Sequence, residues 1–180
     1  MAAERTVSGP LAQLPNALTI GRLVVIPVYA ALILASDGGR SLAAAVVFGA
    51  AGITDQIDGY LARRWHVESA FGKIADPLAD RLLIDVAVVL LWHAGRLPWV
   101  ALAIPVRDLL LIGATPFVLG RGYTFEVNAL GKAATWLLYA SLGLVMLVHH
   151  GSWPLWVFWA GFALAVLSLL LYARKARSVL

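Results

Sequence analysis

The stretch Asp55-Gln56-Ile57-Asp58-Gly59-Tyr60-Leu61-Ala62-Arg63, continuing to Gly72, Asp76 and Asp80, decides how this chain can fold. Four of the ten acidic residues of the protein are these aspartates, and long apolar runs flank them on both sides. Ionised carboxylates are costly at membrane depth, so they require cations or partners and mark functional sites. The rest of the chain therefore has to place this stretch where charged ligands can reach it.

The composition is that of a membrane protein. Of the 180 residues, 61% are hydrophobic and 13% are charged, and the mean hydropathy is +0.84. A soluble domain has about half apolar and about a quarter charged residues. The absence of cysteine excludes a disulfide framework, a thiolate metal site and a cysteine nucleophile. The net charge of +4 comes from Lys and Arg in short clusters between apolar runs, which is typical of topology signals and not of a nucleic-acid-binding face.

The apolar runs predict an all-α integral membrane protein with six transmembrane helices. Each run is close to the ~20 residues that cross about 30 Å of hydrocarbon. The predicted spans are about 17–35, 42–62, 73–94, 98–120, 130–149 and 153–172. A lead-in over 1–16 with a short juxtamembrane helix, and a basic tail over 173–180, complete a single domain over 1–180. Asn16 and Thr19 are candidates to cap the first helix.

The distribution of positive charge predicts the orientation. Placing alternate connections on alternate sides puts only Arg40 and Arg96 on one face. The opposite face receives nine cations, which are Arg5, Arg63, Arg64, Lys73, Arg121, Lys132, Arg174, Lys175 and Arg177. Because cytoplasmic loops are enriched in Lys and Arg, both termini and the acidic stretch are predicted to face the cytoplasm, in a multi-pass protein of the cell membrane.

The spacing of the aspartates predicts two carboxylate faces. Asp55 and Asp58 are three residues apart on the second span, and Asp76 and Asp80 are four apart at the start of the third, so each pair shares one side of its helix. Pro77 suits the first turn of a helix. Four carboxylates without His or Cys match Mg²⁺ or a similar oxygen-seeking cation, and Mg²⁺ in proteins often binds phosphates. The expected ligand is a diphosphate at the membrane surface.

Two other interpretations of the acidic stretch remain open. The aspartates would hold the bundle together if they paired with Arg63, Arg81 and Arg107, although buried ion pairs contribute little net stability. They would line a permeation path in a metal ion transporter. That class predicts acids spread through the depth of the bilayer and often paired halves, and neither feature is found in the sequence.

The pattern of the acidic stretch resembles a known signature. Asp55-x2-Asp58-Gly59-x2-Ala62-Arg63-x8-Gly72-x3-Asp76-x3-Asp80 matches, at every spacing, that of the CDP-alcohol phosphotransferase family. The resemblance implies a six-helix membrane enzyme, usually a homodimer, that transfers the phosphatidyl group of CDP-diacylglycerol to an acceptor hydroxyl and releases CMP.

The resemblance also implies roles for the signature residues. The metal ligands would be Asp55, Asp58, Asp76 and Asp80, binding two divalent ions, Mg²⁺ or Mn²⁺. Asp80 would in addition be the base that takes the hydroxyl proton. The residues that seat the cytidine nucleotide of the lipid would be Gly59, Ala62, Arg63 and Gly72.

Segments outside the signature bear on the acceptor. The opening 15–19 with Arg22 resembles the branch that contains phosphatidylglycerophosphate synthases and CMP-forming cardiolipin synthases, both of which use a glycerol hydroxyl. The segment 107–112, beginning Arg107-Asp108, resembles cardiolipin synthases, which favours phosphatidylglycerol over glycerol 3-phosphate as acceptor. A phosphatidylinositol-phosphate synthase fits less well. The candidate acceptor-binding residues are Arg22, Lys73, Arg107, Arg121 and Lys132, of which Lys132 equally suits a topology signal.

Overall fold

The helices of this protein begin and end where its apolar runs meet short polar or glycine-bearing segments. The computed structural model describes residues 14–65, 72–119, 129–148 and 151–177, with the side chains of residues 20–54, 81–113, 130–148, 151–171 and 174. Within these ranges the chain forms six α-helices. They are α1 (Leu14–Leu34), α2 (Leu42–Trp65), α3 (Gly72–His93), α4 (Ala103–Leu119), α5 (Ala129–Leu147) and α6 (Trp153–Arg177).

The six helices confirm the all-helical prediction and follow the six apolar runs. Two differences lie at helix starts. α1 begins at Leu14, so the end of the expected lead-in already belongs to α1, and Asn16 and Thr19 lie inside the helix instead of capping it. α4 begins at Ala103, because Pro98 is held in extended backbone and a 3₁₀ turn over Trp99–Leu102 follows it. The remainder of the lead-in, residues 1–13, and residues 178–180 of the tail lie outside the described residues.

Three of the connections between helices meet at one end of the bundle. Gly39, between α1 and α2, packs so closely on the α3–α4 connection that a Cβ at this position would lie 2.7 Å from Cβ of Ala94. In the same connection, Nη2 of Arg96 donates hydrogen bonds to the carbonyls of Val145 and Val148 at 2.6 and 2.9 Å. These carbonyls close the C-terminal end of α5, where the connection to α6 begins. The first, third and fifth connections therefore lie on the same side, as the alternation of spans predicts.

Gly95 ends α3 and turns the chain toward α5. Its φ of +71° is in the left-handed region that glycine adopts without strain. The Arg96 amide donates to the carbonyl of Leu91 at 2.8 Å, and the Gly95 amide donates to that of Trp92 at 2.9 Å. This pair of bonds is the Schellman motif, which satisfies the last carbonyls of a helix. The motif places the Arg96 side chain beside the end of α5.

The core lies between α1, α2, α3 and α5. Aromatic rings connect three of these helices, because the Phe48 ring of α2 lies 5.5 Å from that of Tyr29 in α1 and 5.1 Å from that of Tyr139 in α5. α5 and α6 form the most extensive helix pair, and α3 lies between α1 and α4. Glycine permits the close approach of α5 and α6, because a Cβ at Gly161 would lie 3.1 Å from both Cβ of Leu137 and the backbone nitrogen of Leu138.

Two of the described helices are long and apolar enough to cross a membrane, judged by length and composition. They cover Leu130–Leu147 and Trp153–Leu171, with mean hydropathies of 1.4 and 2.1. Shorter apolar stretches occupy Ile20–Leu34 and Leu42–Thr54. Large apolar side chains are also exposed on α4, where Leu109 and Leu110 are more than two-thirds accessible. Such exposure is unusual for a soluble monomer and is expected of helices that face lipid.

Candidate active site

The predicted metal ligands lie on the two helices that the 66–71 connection joins. Asp55 and Asp58 belong to the second half of α2, and Asp76 and Asp80 to the first half of α3. Because both helices are α-helical through these positions, the three- and four-residue spacings put each pair on one side of its helix. The side chains of 55–80 lie outside the described residues, so the meeting of the four carboxylates stays a prediction.

One detail of the predicted site is wrong. α3 begins at Gly72, so Pro77 lies in the second turn of the helix and not in the first, and Asp76 lies a full turn inside it. Gly72 is the first residue of the helix. The missing N–H of Pro77 leaves the carbonyl of Lys73 without its usual helical partner, since that bond would join residues four apart.

The other predicted binding residues divide into described and undescribed groups. Six of these residues lie where the structure does not describe the residue beyond its backbone or at all, so their roles stay predictions; they are Gly59, Ala62, Arg63, Gly72, Lys73 and Arg121. The remaining three candidates are described. Arg22 is buried in α1, with 6% of its surface exposed, and Lys132 is exposed in the first turn of α5. Arg107 lies in α4 and belongs to an ion-pair cluster.

The ion-pair cluster joins α3 to α4 through one carboxylate oxygen. Oδ1 of Asp108 accepts a hydrogen bond from Nη1 of Arg81 at 2.7 Å. The same oxygen accepts a hydrogen bond from Nε of Arg107 at 2.8 Å and forms an ion pair with Nη2 of Arg107 at 2.7 Å. Asp108 is 2% exposed, whereas the side chains of Arg81 and Arg107 are 39% and 20% exposed. A buried carboxylate thus holds two cations whose outer parts remain accessible.

Asp85 adds a second acid to this cluster. It follows Arg81 by four residues on α3 and interacts electrostatically with Asp108, Arg107 and Arg81. Its Oδ1 is buried and, within the described part of the chain, has no hydrogen-bond partner. The cluster comprises two arginines and two aspartates, so its formal charge is zero. Buried polar groups are usually satisfied, and an exception calls for an explanation such as a bound water or a ligand.

The cluster was not foreseen from the sequence. Arg81 and Arg107 were candidates to pair with the acids of the 55–80 stretch, whose side chains lie outside the described residues, and among the described residues both pair with Asp108. The available signal was the Arg107-Asp108 dipeptide inside an apolar run. A charged pair in such a run needs a partner from another helix, and Arg81 is a basic residue inside the neighbouring span.

The described side chains contain no group of three or more His, Cys, Asp or Glu residues that could hold a metal ion. The four predicted ligands are not among those side chains. Their chemistry fits Mg²⁺, because four carboxylates supply only hard oxygen donors and no imidazole or thiolate that would favour zinc.

Comparison with known proteins gives a consistent result. A sequence model of the family described as CDP-alcohol phosphatidyltransferase matches residues 12–167. The CDP-diacylglycerol–glycerol-3-phosphate 3-phosphatidyltransferase of Bacillus subtilis (strain 168) is 34% identical over 147 residues, covering 74% of this chain and 76% of the relative. The protein of the same name from Escherichia coli (strain K12) is 31% identical over 177 residues, covering 92% and 95%. The CMP-forming cardiolipin synthase of Streptomyces coelicolor is 34% identical over 145 residues, covering 78% and 67%.

Proposed function

This chain belongs to the CDP-alcohol phosphatidyltransferase family, a membrane-protein family that is generally metal-dependent, and on that premise we propose that it is a phosphatidylglycerophosphate synthase. The reaction would transfer the phosphatidyl group of CDP-diacylglycerol to a hydroxyl of glycerol 3-phosphate. The hydroxyl oxygen forms a bond to the phosphorus that bears the diacylglycerol, the bond from that phosphorus to the bridging oxygen breaks, and CMP leaves with that oxygen.

The observation that carries the choice of acceptor is the set of relatives. Most of them are named glycerol-3-phosphate 3-phosphatidyltransferases, including the relative that covers 92% of this chain. The Arg107-Asp108 segment favours phosphatidylglycerol, but it covers only residues 107–112, whereas the Escherichia coli relative matches 92% of the chain. In this structure Asp108 is the common partner of two arginines, a role in joining α3 to α4 that is compatible with either acceptor.

The second candidate is a CMP-forming cardiolipin synthase with phosphatidylglycerol as acceptor. The Streptomyces coelicolor relative supports it at 34% identity. Both acceptors offer a glycerol hydroxyl and a phosphate, so the same machinery serves either one. Phosphatidylinositol-phosphate synthesis and metal transport are further alternatives. The acceptor screen tests the first with inositol phosphate, and metal flux in vesicles tests the second.

The proposed orientation places six transmembrane helices with both termini in the cytoplasm. The clustering of the first, third and fifth connections at one end supports it, because that end carries Arg40 and Arg96 and the other end receives the nine remaining loop and tail cations. The acidic stretch then opens toward the cytoplasm, where glycerol 3-phosphate is dissolved. We also propose a homodimer in the cell membrane, in accordance with the family resemblance.

The chemistry divides among the residues of α2 and α3. Two Mg²⁺ ions, held by Asp55, Asp58, Asp76 and Asp80, would neutralise the diphosphate and the charge that develops on the departing CMP. Asp80 would accept the proton of the attacking hydroxyl, for which it needs only hydrogen-bond distance. The nucleotide would be seated by Gly59, Ala62, Arg63 and Gly72.

The acceptor would be bound by cations outside the signature. The proposed residues are Arg22, Lys73, Arg107, Arg121 and Lys132. Among the described candidates, Arg107 has the clearest structural link to the proposed base. Asp108 joins it to Arg81, the residue that follows Asp80 on α3. This neighbourhood would hold the acceptor phosphate near the base.

The test is an acceptor screen with purified protein in detergent. CDP-diacylglycerol and Mg²⁺ are combined with glycerol 3-phosphate, phosphatidylglycerol or inositol phosphate, and CMP and the lipid product are measured by mass spectrometry. We expect CMP and phosphatidylglycerophosphate with glycerol 3-phosphate, and neither in EDTA. Cardiolipin formed only with phosphatidylglycerol would transfer the assignment to the second candidate. Metal flux in vesicles without CMP release from any acceptor would refute the enzymatic proposal.

A further inference from the structure

Asp108 occupies one edge of the Arg107 guanidinium, and among the side chains that the structure describes no partner occupies the other edge. The Nε hydrogen bond and the Nη2 ion pair both end on Oδ1 of Asp108, so the carboxylate lies along the side edge of the planar group. A guanidinium carries five N–H donors in a rigid fork, and its Nη1 and Nη2 hydrogens at the far edge match two oxygens of a phosphate. The partial exposure of the Arg107 side chain, 20%, is consistent with that edge being open.

Arg81 connects the Arg107–Asp108 pair to the part of α3 that carries the proposed base, Asp80. Its Nη1 bond to Asp108 spans 27 positions of sequence and joins α3 to α4. Arg81 is adjacent to Asp80 in the chain, so their Cα atoms are about 3.8 Å apart. One carboxylate therefore ties the cation of α4 to the helix position next to Asp80.

We propose that Asp108 is a positioning residue that orients Arg107 so that its far guanidinium edge binds the phosphate of the acceptor. This inference rests on the proposed function, in which Arg107 contacts the acceptor. Glycerol 3-phosphate carries its phosphate and its reacting hydroxyl on one three-carbon unit, so the holder of the phosphate has to keep a fixed distance from the base. Misplacement of a positioning group by about 1 Å costs on the order of a hundredfold in rate.

The position of Asp108 shows how a buried acid can lie beside Arg107, the proposed anion-binding residue. A buried carboxylate repels a phosphate, but here it is neutralised by two guanidinium groups, and its burial at 2% exposure keeps it behind them. A side chain as long as Arg loses less rotamer entropy on binding when one edge is already held. Asp108 thus acts on the acceptor only through Arg107.

The test is steady-state kinetics of CMP release for Asp108→Asn, Asp108→Glu, Arg107→Gln and the double variant Arg107→Gln with Asp108→Asn. Glycerol 3-phosphate is varied at saturating CDP-diacylglycerol, and then CDP-diacylglycerol is varied at saturating acceptor. We expect Asp108→Asn to raise the KM for glycerol 3-phosphate about tenfold, the size of effect that loss of a charged hydrogen bond produces. The KM for CDP-diacylglycerol is expected to change less than about twofold.

The double variant separates positioning from a general structural role. Since Asp108 acts through Arg107, the double variant is expected to have an acceptor KM within about twofold of that of Arg107→Gln alone. Asp108→Glu, which keeps the charge one methylene further out, is expected to give an acceptor KM between those of the wild type and Asp108→Asn. Asp37→Asn, a neutralised acid that is exposed in the α1–α2 connection, is the matched control and should leave both KM values unchanged.

Three outcomes would overturn the proposal. In the first, the effects of Arg107→Gln and Asp108→Asn on the acceptor KM multiply independently in the double variant. In the second, Asp108→Asn raises the KM for glycerol 3-phosphate and the KM for CDP-diacylglycerol equally. In the third, both Asp108 variants lose kcat while their acceptor KM stays unchanged. KM does not depend on the active fraction, so a low folded yield of Asp108→Asn does not obscure the result, and Asp108→Glu replaces it if no activity remains. Activity of the wild type with glycerol 3-phosphate tests the proposed function separately.

Discussion

Gly52 of α2 packs closely on the Tyr139 ring of α5, so a larger residue at this position is expected to displace α2, the helix that carries Asp55 and Asp58. A Cβ at Gly52 would lie 2.8 Å from Cε1 and 2.9 Å from Cδ1 of the Tyr139 ring. Non-bonded carbon atoms rest at about 3.5–4.0 Å, so Gly52→Ala requires α2 or the ring to move by about 0.7 Å or more. The ring is constrained because it packs on Phe48, whose own ring lies against Tyr29 in the core.

The size of the effect can be isolated with a second glycine on the same helix. Gly49 lies one turn earlier, and a Cβ there would meet nothing within 4 Å. Both Gly→Ala changes gain about 1 kcal/mol of helix propensity, so this contribution cancels when the two variants are compared. The remaining difference is the cost of overpacking, about 1–3 kcal/mol. For a chain of this size that corresponds to a melting temperature about 2–12 °C lower for Gly52→Ala than for Gly49→Ala.

The assay is thermal unfolding of both variants in the same detergent, followed by tryptophan fluorescence, together with the Mg²⁺ dependence of CMP release. Because Gly52 precedes Asp55 by three residues, a displaced α2 is expected to raise the half-saturating Mg²⁺ concentration of Gly52→Ala several-fold, with no change for Gly49→Ala. Equal melting temperatures and equal Mg²⁺ requirements for the two variants would show that α2 does not pack on α5 in this way.

Two further substitutions test the proposed base and the end of the bundle where the first, third and fifth connections meet. Asp80→Asn is expected to abolish CMP release while the protein stays folded and binds CDP-diacylglycerol, measured by lipid binding and gel filtration, and full activity would remove Asp80 from the role of base. Arg96→Met removes the donors of the Val145 and Val148 carbonyls and is expected to cost about 1.5–3 kcal/mol. This loss would appear as a lower melting temperature than that of Arg174→Met, an exposed control on α6, and equal values would mean that the α5 end does not depend on Arg96.

The number and approximate extent of the helices could be predicted because both depend on local properties. A run of about 20 apolar residues satisfies its own backbone hydrogen bonds as a helix, and glycine or charge interrupts it. The placement of alternate connections on alternate sides follows from the same runs, and the contacts of Gly39 and Arg96 agree with it. The spacing within each aspartate pair is likewise a property of one helix.

Helix starts were predicted less well, for reasons that are also local but finer. Pro77 was expected in the first turn of α3, but the helix extends back to Gly72. The fourth span begins with a 3₁₀ turn over Trp99–Leu102. Hydropathy averages over many residues, so it does not resolve which residue makes the first helical hydrogen bond.

The sequence alone was sufficient to specify six helices, two aspartate pairs at helical spacing and the family signature that relates them. It did not indicate that Asp108 holds Arg81 and Arg107 together, since that contact depends on how α4 is rotated against α3. Hydrogen bonds within a helix join residues four apart, whereas the Arg81–Asp108 bond joins residues 27 apart and forms only after the two helices have packed. Contacts between helices, such as the Arg81–Asp108 bond, could therefore be found only in the tertiary structure.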